Sequence, residues 1–416
     1  MNCPHCFNAV TAARDATPWC PSCEWNLSHF EPGRRPPELG WVWADRATHR
    51  VAWRLTAGQF ARLADGPLQR RSWSAARVFT MAMAVFLLIV VVAAAGLGVW
   101  LTAFNFPGLT ILPGVALLGV AVALRPRLGS VGDDVHLLDR DEAPELWALI
   151  DRVAAASGAP VPHLVGLDSS LGAYTTTVGL RRRRVLCLGA PLWSVLDQQE
   201  RVALVGHELG HFVNGDLRRG PLTQVALSTL GRLAVLTRPD DDSRWTGVIG
   251  MIAAVLQWLV QSLLYRLVLG LHLVVVWIGQ RDAQRAEYLA DEVAARAAGS
   301  AAAVRLLDAL LLHEAIDTVI CREARAKRAG AAWREAADVA RANLAPGVPA
   351  FRQLSRRDEV SLFASHPPTG LRARMLERRP QHAAAVTLTE QQAERIDTEI
   401  AGTVERVRRD LATAHY

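Results

Sequence analysis

Residues 203–217 read "ALVGHELGHFVNGDL", with two histidines four apart around a glutamate. On an α-helix positions i and i+4 share a face, so His207 and His211 aim two imidazoles at one point while Glu208 projects beside them. A metal hydrolase needs that arrangement: the ion lowers the pKa of a water to about 7, and the carboxylate takes its proton. The competing reading is an ordinary helix that carries polar residues, and the flanks decide against it. Asp197 and Glu200 in "LDQQERVAL" have the three-residue offset of a capping box, and Gly215 after Asn214 suits a C-cap, so the motif falls mid-helix.

A catalytic zinc takes a third protein ligand and leaves a fourth position open. The candidate segment is "QRDAQRAEYLADEVAARAA" (280–298), where Glu287 and Asp291 are again four apart on a helical pattern. One of the two is expected to ligate and the other to orient a ligand histidine. Taken alone, the segment also reads as a solvated helix face with alternating charges.

Half of the 416 residues are apolar, and the reason is local. No charged residue occurs between Arg77 and Arg125: "VFTMAMAVFLLIVVVAAAGLGVWLTAF" is followed by "NFPG", with Asn105 at the break, and then by "LTILPGVALLGVAVAL". The first run is long enough for a hydrocarbon core of about 30 Å and the second is near the lower limit, so a membrane hairpin is expected. Two more apolar stretches follow, 221–237 with Arg232 and 247–279 with Arg266 and His272. A charge at mid-membrane costs about 2.5 to 3.5 kcal/mol, so these segments must face protein, snorkel or lie partly outside the bilayer. The last is long enough to cross and carry Glu287 onward on the same helix. Arginines crowd 31–77, "RPR" at 125–127 and "RRRR" at 181–184, whereas the loop at 105–110 is uncharged and that around Asp241 slightly acidic. The positive-inside rule then puts both termini and the catalytic segment in the cytoplasm of a multi-pass protein of the cell membrane. The net charge of +6 follows from this placement, and no nucleic-acid partner is expected.

"CPHC" (3–6) and "CPSC" (20–23) are two Cys-x-x-Cys pairs separated by 13 residues. Four thiolates from Cys3, Cys6, Cys20 and Cys23 suit a closed tetrahedral zinc, a structural site with no place for water. No signal peptide is read at the N-terminus, so a reducing compartment is expected and disulfides are disfavoured. A ribbon of this size buries little core, and the metal would supply its folding energy. Cys187 and Cys321 stand alone and read as buried apolar residues.

With these pieces together, the chain resembles the HtpX-like membrane zinc metalloproteases, relatives of the CAAX prenyl proteases. The likeness runs from about residue 78 to 378 through the hairpin, "HELGHFVNGD", two apolar segments, "AEYLAD" and "SHPPTGLR" in order. The resemblance implies that His207, His211 and Glu287 are zinc ligands, Glu208 the general base and Asp291 a partner behind the ligands. It also implies that His366 and Arg372 lie near the reacting atoms. Where the family has an edge hairpin beginning with asparagine, this chain has Gly172 before Ala173 and Tyr174, the expected edge strand for an extended peptide.

The expected fold is mainly α: an integral membrane protein with multiple transmembrane helices, a helical zincin-type catalytic domain with a small β element, and an N-terminal zinc ribbon. The expected division is ribbon 1–30, linker with a small strand and helix 31–77, hairpin 78–125, catalytic parts 126–220 and 281–379 around apolar segments 221–280, and a helical tail 380–416. The expected function is a zinc endopeptidase with one catalytic and one structural Zn2+, acting at the cytoplasmic face on membrane or misfolded proteins. Partners are polypeptide substrates and the bilayer, with the ribbon free to take a protein partner. The rivals are a narrow-specificity processing protease and a zinc-ribbon adaptor with a vestigial protease core.

Overall fold

The computed structural model describes residues 1–13, 16–34, 38–66, 68, 75–104, 106–125, 130–179, 181–214, 228–239 and 247–413. Gly215, Asn105, Pro36-Pro37, Pro126-Arg127, residues 221–227 and the loop around Asp241 lie outside them. The chain divides into two units, one of Met1–Arg70, Gly129–Leu217 and Ala283–Tyr416, the other of Arg71–Leu128 and Arg218–Asp282.

The first unit is helical around a small sheet. Its N-terminal ribbon is followed by α1 (Val42–Ala64), a single helix where a strand and a helix were expected. Phe60, Leu63 and Ala64 close one face of it over Tyr288, Leu371 and Met375, and that burial holds the whole segment helical. After β1 (His136–Leu138), α4 (Pro144–Ser157) ends at Gly158, whose positive φ of 63° closes the helix. Strands β2 (Leu164–Asp168), β3 (Ala173–Val178) and β4 (Arg183–Gly189) complete a sheet of order β1-β2-β4-β3. Only the β2–β4 pairing is parallel, and β3 is an edge strand.

Then come α5 (Ala190–Val195) and α6 (Gln198–Asn214), which opens with the reciprocal pair expected of a capping box. The Asp197 N–H donates to Glu200 at 3.0 Å and the Glu200 N–H to Asp197 at 2.6 Å. The apolar run and the Glu287 segment share one helix, α8 (Gly247–Ala298), whose last part belongs to this unit. Helices α9 (Ser300–Leu311), α10 (His313–Arg325), α11 (Ala331–Leu344), α12 (Val348–Asp358), α13 (Thr369–Arg378) and α14 (Glu390–Thr413) finish it. The polar tail packs as expected of its amphipathic pattern: Ile396, Ile400, Val404 and Val407 of α14 join Leu149, Trp193 and Val205 in one core.

In the second unit, α2 (Ala75–Ala103) and α3 (Ile111–Leu124) form an antiparallel pair joined through small residues. A Cβ on Gly98 would lie 2.9 Å from Leu118, and one on Gly114 2.7 Å from Thr102, the close approach small residues permit between membrane helices. Residues 228–236 form α7, and Arg232 donates to the carbonyls of Ala123 and Arg125, so its charge caps the C-terminus of α3.

Among the described residues, two helices are long and apolar enough to cross a membrane, Val78–Ala103 and Gly250–Ala298. The hairpin's second arm is shorter than expected, since α3 has 14 residues, about 21 Å. Arg125, which precedes a proline in the sequence, has an extended ψ of 140° and ends it. Ile89, Val92, Met251 and Leu263 are exposed, a surface that suits lipid and not water.

Candidate active site

The site is assembled by close contact between α6 and the end of α8. Gly206 and Gly210, four apart like the histidines, face Ala290, Ala294 and Ala297. A Cβ on Gly210 would lie 2.8 Å from the Cα of Ala290, and one on Gly206 3.1 Å from that of Ala294. Backbones that touch in this way bring the polar residues of both helices within reach of each other. Asn214 donates to the Ala286 carbonyl at 3.2 Å and ties the end of α6 to the same helix.

His207 Nε2 lies 3.6 Å from one oxygen of Glu287, and His211 Nε2 lies 3.6 Å from the other. Two ligands of one zinc, each about 2.0 to 2.1 Å away at a tetrahedral angle, stand roughly 3.3 Å apart. Both contacts are close to that separation. His207 Nδ1 faces Asp291 at 3.0 Å, so the two ring nitrogens are divided between two carboxylates. Arg372, from α13, grips Asp291 with two hydrogen bonds of 2.6 and 2.9 Å. Its Nη2 lies 3.8 Å from Glu287.

His366, half-exposed in the connection between α12 and α13, brings Nδ1 to 2.6 Å from Glu287 Oε2. Among the described residues His207, Glu287 and His366 form a group of metal-competent donors within 4.8 Å of one another, separate from the cysteines. Sequence reasoning has His366 beside the site and His211 among the donors; the structure brings both to the same carboxylate. Glu287 Oε2 is buried and makes no hydrogen bond of acceptable geometry. A buried carboxylate oxygen left in that state between imidazoles is what a cation would satisfy, so the residues present fit zinc.

Electrostatics hold the carboxylates charged. Burial would raise Glu287, but His211, His366 and Arg372 outweigh it and bring its pKa down to about 2. Burial also opposes ionisation of Asp291, yet Arg372 and His207 hold it well below the usual carboxylate range. The same pairing with Asp291 and Glu287 raises Arg372 despite its complete burial.

A cleft of about 380 Å³ opens onto His207, Glu208, His366 and Arg372. Leu192, Leu204, Leu306 and Leu310 line it, and Gly172 and Ala173 bring the start of β3 to its edge. Tyr174, the next residue, is not among the lining residues. Sequence reasoning missed these leucines, the glycine pair and Glu359, whose carboxylate accepts the backbone N–H (2.6 Å) and hydroxyl (2.9 Å) of Thr369 at the start of α13. Burial raises its pKa against those bonds. Only the glycines had a signal, their i,i+4 offset within the motif.

The second cluster is the expected group of cysteines. Sγ atoms of Cys3 and Cys23 are 3.5 Å apart and those of Cys6 and Cys20 3.4 Å, with all four within 4.8 Å. A disulfide needs about 2.05 Å, and two thiolates on one zinc stand roughly 3.8 Å apart. Cys187 and Cys321 are buried elsewhere, and burial pushes the Cys187 thiol up to about 12.

The sequence profile of peptidase family M48 matches residues 140–380. The chain belongs to peptidase family M48. It is 28% identical over 218 residues to a protease HtpX homolog of Desulfotalea psychrophila, covering 48% of this chain and 73% of that protein. It is 26% identical over 117 residues to one of Thermococcus kodakarensis, covering 28% of this chain and 38% of the relative. With one of Methanothermobacter thermautotrophicus it shares 25% over 154 residues, 33% of this chain and 56% of the relative. The chain thus spans less than two thirds of the latter two. No solved structure matches it. Family and relatives support a metalloprotease of HtpX-like type, and the M48 match spans both α6 and α13 while leaving residues 1–139 outside.

Proposed function

We propose that this M48 protein is a membrane-embedded zinc endopeptidase that cleaves membrane or misfolded polypeptides at the cytoplasmic face. The observation that carries the reading is the buried carboxylate of Glu287, with Oε2 facing His207 at 3.6 Å and His366 at 2.6 Å and Oε1 facing His211 at 3.6 Å, while Glu208 lines the cleft beside them. His207, His211 and Glu287 would hold the ion. A bound zinc polarises the scissile carbonyl and lowers the pKa of a water to about 7. With the ion held there, Glu208 would be the base that takes the attacking water's proton and would return it to the leaving nitrogen. His366, at the mouth of the cleft, donates toward the carbonyl oxygen as negative charge develops there. Arg372 works one step back: it fixes Asp291, which engages His207 and leaves Nε2 for the metal.

Substrate enters as an extended segment beside β3, whose free edge starts at Ala173 and Tyr174. That pairing uses backbone groups, so Gly172 in place of the family's asparagine leaves it possible. The leucine-lined walls favour apolar side chains. The spans α2 and α8 would anchor the protein in the cell membrane, with both termini inside. The four cysteines would hold a second, structural zinc, and the ribbon surface is open to a protein partner.

The test is zinc quantification and casein cleavage on the detergent-purified full chain, with and without a chelator, beside Glu208→Gln. The wild type should cut casein and lose activity with chelator. Glu208→Gln should keep its zinc and lose about two or more orders of magnitude in rate. Full activity in that variant sinks the mechanism, and cleavage confined to one native partner favours a processing protease.

A further inference from the structure

The ribbon is tied into the same unit as the site, through α12. Arg357, only 2% exposed, donates to three ribbon carbonyls: Thr17 at 2.9 Å, Asn26 at 2.8 Å and Leu27 at 3.2 Å. Trp19 donates its indole N–H to Gln353 at 2.8 Å, and Gln353 donates back to the Pro21 carbonyl at 2.8 Å. Trp19 and Leu27 pack with Leu354 as a separate small core. The second knuckle also reaches α13: Glu24, next to Cys23, accepts hydrogen bonds from Arg356 of α12 and, at 3.0 Å, from Arg374 of α13.

From there only about 3 Å of helical rise separates Arg374 from the arginine that holds the site. Arg374 is two residues from Arg372, the partner of Asp291 and so of His207. The two helices are fused just before it. A Cβ on Gly370 would lie 1.9 Å from the Arg352 carbonyl, and the Gly370 N–H donates to Ser355 at 2.9 Å. His366 sits in the connection between them.

We propose that the metal-bound cysteine ribbon is a positioning element of the active site, in which Glu24 transmits the placement of the second knuckle to α13 through Arg374 and Arg356. The proposal rests on the peptidase reading for its effect on turnover and on nothing but geometry for its effect on α13. A ribbon without metal has too little core to stay folded, and Arg357 would then lose three carbonyl partners while Arg356 and Arg374 lose their common carboxylate. The segment carrying His366 and Arg372 would loosen, with the ligands on α6 and α8 still in place.

The experiment uses the full chain in detergent, with Glu24→Ala, Arg374→Ala, the double variant and Cys20→Ser/Cys23→Ser. Three readings are taken: zinc per chain, amide exchange by segment and casein turnover. In Glu24→Ala both zincs should remain, exchange in 359–378 should speed by about tenfold with α4 unchanged, and kcat should fall about three- to tenfold with little change in KM. Arg374→Ala added to Glu24→Ala should then do little more, because Glu24→Ala has already removed the carboxylate that Arg374 binds. The cysteine variant should lose one zinc and reproduce the exchange pattern more strongly. Unchanged exchange in 359–378 in both Glu24→Ala and the cysteine variant overturns the proposal, and so does faster exchange spread equally over α4. If the wild type cuts nothing, the peptidase reading has failed, and the exchange arm still decides this one.

Discussion

The two donor clusters of this protein are built in opposite ways. The ribbon takes four sulfurs from 21 consecutive residues, and all four donors come from two short Cys-x-x-Cys turns. The cleft takes its donors from three places, α6, the end of α8 and the connection before α13, and leaves a side open to a space of about 380 Å³. A site made by local chain geometry is complete but inert, because nothing else can enter. A site made by packing is incomplete by construction, and incompleteness is what allows a water and a substrate. The cost is dependence on neighbours, since Glu287 meets both imidazoles only while α8 packs against α6.

The sharpest way to break the contrast is Glu287→Ala. It should remove zinc from the cleft alone, leave one zinc per chain in the ribbon and lower casein turnover by about three orders of magnitude or more. Loss of both ions on metal analysis would mean that the centres are not independent. Next is His366→Ala, expected to slow turnover by about tenfold to a thousandfold with zinc unchanged. Zinc loss there would make His366 a ligand, as its place in one donor group with His207 and Glu287 allows.

A smaller effect is expected from Gly210→Val, which forces a side chain into the 2.8 Å gap at Ala290. It should destabilise the fold by about 1 to 3 kcal/mol, lower Tm by several degrees and reduce zinc in the cleft but not in the ribbon. Calorimetry with metal analysis checks it, and an unchanged Tm would show that the helices do not need to touch. The smallest effect on the core should follow Cys3→Ser with Cys20→Ser. One zinc per chain should go, the cleft should keep its own, and the loosening should stay local to the ribbon and 359–378, with amide exchange of α4 unchanged. If zinc content stays the same, the cysteines hold no metal.

Much of the cleft was legible because helix periodicity is a local property. The four-residue offsets of His207/His211 and Glu287/Asp291, and the Asp197–Glu200 cap, follow from 3.6 residues per turn whatever the rest of the chain does. The cysteine pairs were legible for the same reason. The extent of α3 and the single helix α1 were not. One depends on the conformation Arg125 takes before a proline, and the other on burial against Tyr288, Leu371 and Met375, more than 200 residues away.

The sequence by itself determined which residues have donor chemistry, which of them share a helix face and which runs suit lipid. It left open which of Glu287 and Asp291 meets the imidazoles, and only family likeness chose. The tertiary structure decided that Glu287 faces Nε2 of both imidazoles while Asp291 takes Nδ1 of His207 together with Arg372, and that the knuckle beside Cys23 meets a helix 350 residues on. The physical reason lies in how far each influence reaches. Backbone hydrogen bonds set spacing within one helix, whereas the distance between helices depends on the side chains at their contact, here glycines against alanines, and no local pattern specifies the partner.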